Sequence, residues 1–465
     1  MQSKAFRFPL SRLRLGTLAL ALAAFGAHAE VSVFSQPDSD FKGMIRPMTP
    51  NVLPGSEVEF RGMGFKPGQK VTLYRGSTAL NVEPYVADAE GRLSGKFNVP
   101  ADAVAARHPI ILRASEPDAA SVITLKVSKE VPQSGAEKFD IVGKPISRGL
   151  YQSAYSGKEN ALYVTASGGH HVPVTHSELL KVDADSLEVQ ARVTPAAVPG
   201  RDDGHVYAVY GVGVDDVNGH VWVTNTVENT LAVYRTGDLA LVKQFAPGAL
   251  PHGRDVIVDG KRSRVYASPV GESKLAVFDA RTLGPLPGIE IASLSRRDKF
   301  SPFSLALDED SGRVYTVSFS TAEVAVIDGA SGKVEKVLPL SNAANASGIA
   351  YDKHANRILV AAQGSDNLLI IDADSGQTLH DVYVGAGALN VVYDPKAKLA
   401  FVSNRGAGTV TVVDKDGSIV ANLDGGSLPN HLHDDGRGHV FLVNKARGAE
   451  DPRGDHLTRY TLKDR

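Results

Sequence analysis

The sequence predicts an all-β protein, a seven-bladed β-propeller preceded by a β-sandwich, and three observations carry that prediction. Apolar and polar residues alternate with period two through most of the chain, the pattern of half-buried strands. From about residue 138, a unit of four short strands recurs seven times at spacings of 40 to 59 residues, which is the arithmetic of a propeller. Ahead of the first unit stands a spare strand, residues 139–146 (FDIVGKPI), while the last unit supplies only three. Pairing the two removes the open edge that an unclosed array would expose.

Taken in order, the chain begins with an address. Lys4, Arg7, Arg12 and Arg14 form a basic stretch without an acid, residues 15–25 (LGTLALALAAF) are apolar, and Ala27-His28-Ala29 is a small-x-small cleavage site. Residues 1–29 therefore read as a secretory signal peptide. Its removal leaves 46 basic against 52 acidic residues, about −6 instead of −2. No later stretch approaches the ~18 apolar residues of a spanning helix. The expectation is an exported periplasmic protein with no transmembrane segment after cleavage. The absence of cysteine excludes a disulfide framework, thiolate metal sites, c-type haem attachment and a cysteine nucleophile.

Residues 30–130 alternate over short runs at 56–61, 69–73, 92–99, 110–113 and 121–127. Lys66-Pro67-Gly68 and Asp88-Ala89-Glu90-Gly91 supply turn chemistry between them. Strands at this spacing predict a sandwich. Residues 64–73 (GFKPGQKVTL) resemble the GF-x-PG-x-x-V-x-L signature of bacterial immunoglobulin-like modules. That resemblance implies an immunoglobulin-like domain serving as spacer or contact surface. Polar residues 131–137 form the linker, and the propeller is expected over 138–465.

Within the array, the second strand recurs around Tyr163, Trp222, Tyr266, Tyr315, Leu359, Phe401 and Phe441. The third recurs at 179–183 (LLKVD), 275–279 (LAVFD), 324–328 (VAVID) and 368–372 (LLIID). Residues 221–225 (VWVTN) nearly spell YVTN, and 400–404 (AFVSN) and 440–444 (VFLVN) echo it. Residues 138–465 thus resemble the YncE-like, YVTN-repeat periplasmic propellers. The resemblance implies a propeller without an established enzymatic activity, and a link to DNA binding and to iron limitation.

Loop lengths separate the two faces. Turns after the first and third strands are tight and rich in Asp and Gly, whereas every irregular insertion (167–177, 194–205, 292–301 and 444–456) falls on the opposite face. Long loops on a rigid scaffold are where binding concentrates, so the site is expected there. Tyr210, His252, Arg254, Phe303, Asn390, Asn430 and His431, with Gln152, converge on the channel mouth as a weakly cationic polar rim. Such a rim suits an anion or a carbohydrate-like or siderophore-like ligand. His431 and His433 are expected to turn at most one ring into the channel. His170, His171, His176 and His205 are candidate ligands of a transition metal, since neutral imidazole suits Cu, Zn, Ni and Fe. Their spacing matches no recognised metal signature, and no other cofactor is expected.

Arg254, Arg296, Arg297, Lys299, Arg405, Lys445, Arg447 and Arg453 share the loop face with Asp202, Asp203, Glu228, Asp298, Glu450, Asp451 and Asp455. These signs nearly cancel, whereas nucleic acid needs a sustained positive field. Neither a G-x-S-x-G elbow, nor H-E-x-x-H, nor a P-loop occurs. The expected function is a non-catalytic binding or scaffold protein with a small ligand or a periplasmic or outer-membrane protein as partner, linked to metal or siderophore uptake. A propeller lactonase or metal-dependent hydrolase is the alternative, and a DNA-binding propeller the second.

Overall fold

The computed structural model describes residues 40–169 and 171–463. The signal-peptide expectation for residues 1–29 and the metal candidate His170 lie outside the described residues. Among these there is no α-helix, only a one-turn 3-10 segment at Ala136–Lys138. No helix among the described residues is long and apolar enough to cross a membrane.

The N-terminal part folds as two antiparallel sheets. Met44–Pro47, Glu57–Met63 and Leu93–Asn98 form one; Lys70–Arg75, Ala106–Ser115 and Ala119–Val127 form most of the other. In Glu57–Met63 burial alternates strictly, because successive side chains point to opposite faces of a sheet. The inward set, Val58 and Phe60, meets Val71, Leu73 and Leu112 from the facing sheet in one core.

From residue 139 onward the described chain builds seven four-stranded antiparallel sheets. Their inner strands are Leu150–Ser156, Val209–Asp215, Gly253–Asp259, Pro302–Asp308, Ala346–Asp352, Ala388–Asp394 and Pro429–Asp434. Each inner strand packs on the next, and the last packs on the first, so the sheets close a ring around a channel. The last sheet takes its fourth strand from the other end of the array. Phe139–Pro145 pairs with His456–Leu462, from Phe139 opposite Leu462 to Pro145 opposite His456.

The repeated aromatic of the second strand explains how neighbouring sheets are held. Trp222 is wholly buried 5.9 Å from Phe278 of the next sheet. Tyr163 donates its hydroxyl to Thr236 O at 2.7 Å, and Tyr266 to Gly329 O at 2.8 Å. A large side chain thus fills the gap, and at Tyr163 and Tyr266 its hydroxyl finds a backbone partner, whereas the buried Trp222 Nε1 has none.

Both ends of the inner strands follow from local chemistry. Every inner strand carries a register shift near its start, for example between Gly253 and Asp255 and between Pro429 and His431. A bulge leaves a residue unpaired and re-aims it. At the other end, six of the seven strands finish on aspartate: Asp215, Asp259, Asp308, Asp352, Asp394 and Asp434. These carboxylates accept turn amides, as when Asp215 takes the N–H of Val217 and Asn218. The turn closes through a left-handed residue, Gly219 at φ 69° or Asn356 at φ 53°, which glycine adopts freely and asparagine tolerates.

The two parts are tied together at Asp366, which is 2% exposed. Its carboxylate accepts Lys126 Nζ at 2.5 Å, Ser128 Oγ at 2.6 Å and the Gly387 N–H at 2.7 Å. The linker contributes as well, with Ser134 bridging to Asn422. The sandwich therefore sits over part of the long-loop face, and a cleft of about 390 Å³ lies between them.

Candidate functional site

The bulges build the mouth. They turn Tyr151, Arg254, Phe303 and Asn430 toward the long-loop end of the channel from four different sheets. The Arg254 guanidinium reaches across the channel and lies over two rings, 5.1 Å from Tyr151 and 4.8 Å from Phe303. Lys445 places its ammonium 4.5 Å from the same Tyr151 ring. Arg405 donates to Asn430 Oδ1, and Asn430 passes its own N–H to Tyr151 O at 2.5 Å. Behind this layer, wholly buried Tyr210 meets Tyr151 edge-on at 4.9 Å and donates its hydroxyl to Gly169 O at 2.6 Å.

Electrostatically this is an unfinished cluster. Arg254 is 7% exposed and its Nη1 is buried without a hydrogen-bond partner. Burial, then the charges of Arg405 and Arg254, push Lys445 down to about 7, against a weaker pull from Asp455. Burial likewise lowers Arg405, and Arg254 and Arg447 add to it. Three cations thus share one desolvated spot, the arrangement that an anion relieves. Arg405 also lines the cleft beneath the sandwich, beside Lys126, Gln363 and Gly387.

Not every expected mouth residue arrives there. His252 is exposed on its loop, at φ 44°, with its backbone N–H on Asn229 Oδ1; it belongs to a turn, not to the mouth. Asn390 and His431 sit deeper, because each stands after the bulge of its strand. Asn390 Oδ1 accepts the Leu432 N–H at 2.9 Å, linking two sheets, and His431 Nδ1 faces the Ser153 N–H at 3.4 Å.

Both residues line a second hollow of about 340 Å³, which runs from mid-strand to the tight-turn end. A hollow therefore also exists at the end opposite the long-loop face, while at the mouth Arg254 lies over Tyr151 and Phe303. The expectation for His431 and His433 is corrected. Both rings line the hollow, 6.5 Å apart and near parallel, since residues two apart on a strand share a face. Burial lowers both imidazoles, His433 to about 4 and His431 well below its usual value, so both are neutral at pH 7. Burial, followed by the charge of Asp394, raises Asp434 to about 7.

The metal candidates do not gather. His205 is buried with Nδ1 accepting the Val174 N–H at 2.8 Å and Nε2 on Glu228 Oε1 at 2.9 Å, so both nitrogens are engaged in holding a loop. His176 Nε2 contacts Arg148 O at 3.0 Å, and His171 is exposed. Among the described residues, no three His or carboxylate side chains are placed to hold one ion.

Tyr151, Arg405 and Lys445 were not picked out as ligand contacts by the sequence. The available signal was the repeat: Arg405 and Lys445 each directly follow the asparagine of a YVTN-like strand. That asparagine is structural. Asn404 Nδ2 donates to Val384 O at 3.0 Å, and Asn444 Nδ2 to Gly425 O at 3.0 Å. It pins the neighbouring loop and so delivers the next side chain to the mouth.

A closed ring of four-stranded sheets with a plugged central channel defines a β-propeller protein. Solved structures agree at the level of fold. Virginiamycin B lyase from Staphylococcus aureus, with quinupristin, superposes with TM-score 0.53 at 12% identity over 70% of this chain and all of that one. A chain of the Kuenenia stuttgartiensis hydrazine synthase superposes with TM-score 0.53 at 16% identity over 65% and 94%. No family model matches the sequence. The chain is homologous to YncE: the Salmonella typhi protein is 25% identical over 340 residues, 70% of this chain and 91% of that one. YncE of Escherichia coli K12 is 25% identical over 268 residues, 55% and 70% respectively. The YncE-like resemblance of the repeats therefore holds.

Proposed function

We propose that the chain is an exported, periplasmic binding protein in which a signal peptide (1–29) and an immunoglobulin-like sandwich (30–130) precede a seven-bladed YncE-like propeller. Its ligand is a small anion bearing carboxylate groups, held at the channel mouth by Arg254, Arg405 and Lys445 over Tyr151, without chemical turnover. One observation carries this reading: three cations crowd a desolvated mouth, none of them in an ion pair among the described residues, and Arg254 Nη1 is left unpartnered. A buried donor without an acceptor costs ~1–3 kcal/mol, which an entering carboxylate returns. The sandwich adds a wall, since the cleft beneath it ends on Arg405, and sites between domains are where small ligands commonly bind.

Citrate titrated calorimetrically into the purified protein at pH 6.5 tests the reading. Saturable one-to-one binding, weakened at least tenfold by Arg254→Ala and by Arg405→Ala, is expected. No heat, or binding indifferent to both substitutions, overturns it.

A further inference from the structure

The far half of the channel is independent of that reading, and the geometry points to a second binding site there, for a small organic ammonium ion. The hollow is lined by inner strands of all seven sheets and, among its lining residues, contains no lysine or arginine. Asp434 and Glu309 face it without an ion-pair partner among the described residues. Asp434 spends one oxygen on the Gly436 N–H at 3.1 Å, and Lys261, the base that acts on Glu309, pairs with Asp310 at 2.7 Å instead. Of the strand-end aspartates around them, Asp259 is already paired with Arg262 at 3.1 Å, whereas Asp434 and Glu309 keep their charge available to an entering cation.

Two further observations point to a ligand. Ser153, which lines the hollow and is 1% exposed, has its hydroxyl buried with no hydrogen-bond partner. Tyr155, Tyr351 and Tyr393 line the same space, and the Arg437 guanidinium already rests over Tyr155 at 5.2 Å. Acceptors, tyrosine faces and unpaired carboxylates together select an N–H-bearing cation. A bare metal ion is disfavoured, because no three ligating side chains converge among the described residues.

The probe is 1,4-diaminobutane, titrated calorimetrically at low ionic strength into the whole protein. One-to-one binding is expected, weakened at least tenfold by Glu309→Gln and by Asp434→Asn, unaffected by saturating citrate, and not competed by myo-inositol. Glu309 lies in a turn, so its variant reports on binding even where Asp434→Asn alters folding; thermal unfolding checks both. Absence of binding, multiple non-saturating sites, indifference to both substitutions, or equal competition by myo-inositol would each overturn the proposal. Because citrate addresses only Arg254, Arg405 and Lys445, failure at one end is distinguishable from failure at the other.

Discussion

The two ends of the channel are built from the same seven strands and carry opposite charge. At the start of each strand a bulge re-aims the chain, and Arg254 and Lys445 lie over Tyr151 with Arg405 beside them on Asn430. At the end of the strands aspartates cap the tight turns, and Asp434 and Glu309 are left facing a hollow. The lesson is that a repeat produces chemistry in two ways. The tight-turn end is acidic because the turn itself needs an acceptor at that position in six units. The mouth is cationic because individual units depart from the repeat.

That contrast is broken most severely at the mouth. Arg254→Ala is expected to cost at least tenfold in citrate affinity, yet to change the stability of the unliganded protein by no more than ~1 kcal/mol, because the relief of like-charge crowding around Lys445 and Arg405 offsets the loss of the charge that compensates buried Asp255. Calorimetry and urea unfolding, read together, check both halves. A residue that merely packed would lower both.

Asp366→Ala removes the acceptor that Lys126, Ser128 and Gly387 share between the sandwich and the ring. Breaking a buried charge from its partners costs ~3–5 kcal/mol, but Lys126 is 32% exposed, so ~1–3 kcal/mol is expected after screening. The readout is earlier unfolding of the sandwich and faster proteolysis between the two parts. Citrate affinity should fall as well, since the cleft wall is then untethered.

The acidic end answers to pH. Asp434 is raised to about 7 by burial first, then by Asp394 on the neighbouring inner strand and Asp435 next in the chain. A carboxyl whose folded value exceeds its unfolded value of about 4 binds more protons when folded. Its penalty therefore grows as pH rises from about 4 to about 7, and is complete above that. Asp434→Asn should stabilise the protein by ~1–3 kcal/mol at pH 8 and by little near pH 4, as a urea series at both pH values would register. The smallest effect falls between sheets: Tyr163→Phe, which loses only the bond to Thr236 O, should cost ~0.5–1.5 kcal/mol.

Much of the scaffold was legible because it repeats. The aromatic at 163, 222 and 266, the Asp-Gly turns and the spare strand at 139 each recur or complete a count. Arg254, Phe303 and Asn430 were also within reach, since they stand at equivalent entries of inner strands. The bulges were not legible, because an extra residue changes no composition and its effect is purely one of register. They decide that Asn390 and His431 fall below the plug while Asn430 stays in it. The histidines misled for a related reason. His205 looks like a ligand in a loop, but only the fold shows that Glu228 and Val174 consume both its nitrogens. The sandwich's position over the loop face rests on Lys126 meeting Asp366, a pairing 240 residues apart that no local pattern encodes.

The most direct test of the charged mouth is the titration of Lys445 itself, followed by NMR of its labelled side chain with and without citrate. The account predicts a midpoint near 7 in the free protein, moving upward when citrate binds, with citrate affinity declining as pH rises past that midpoint. A midpoint above 10 in the free protein, or one that citrate leaves in place, would contradict it.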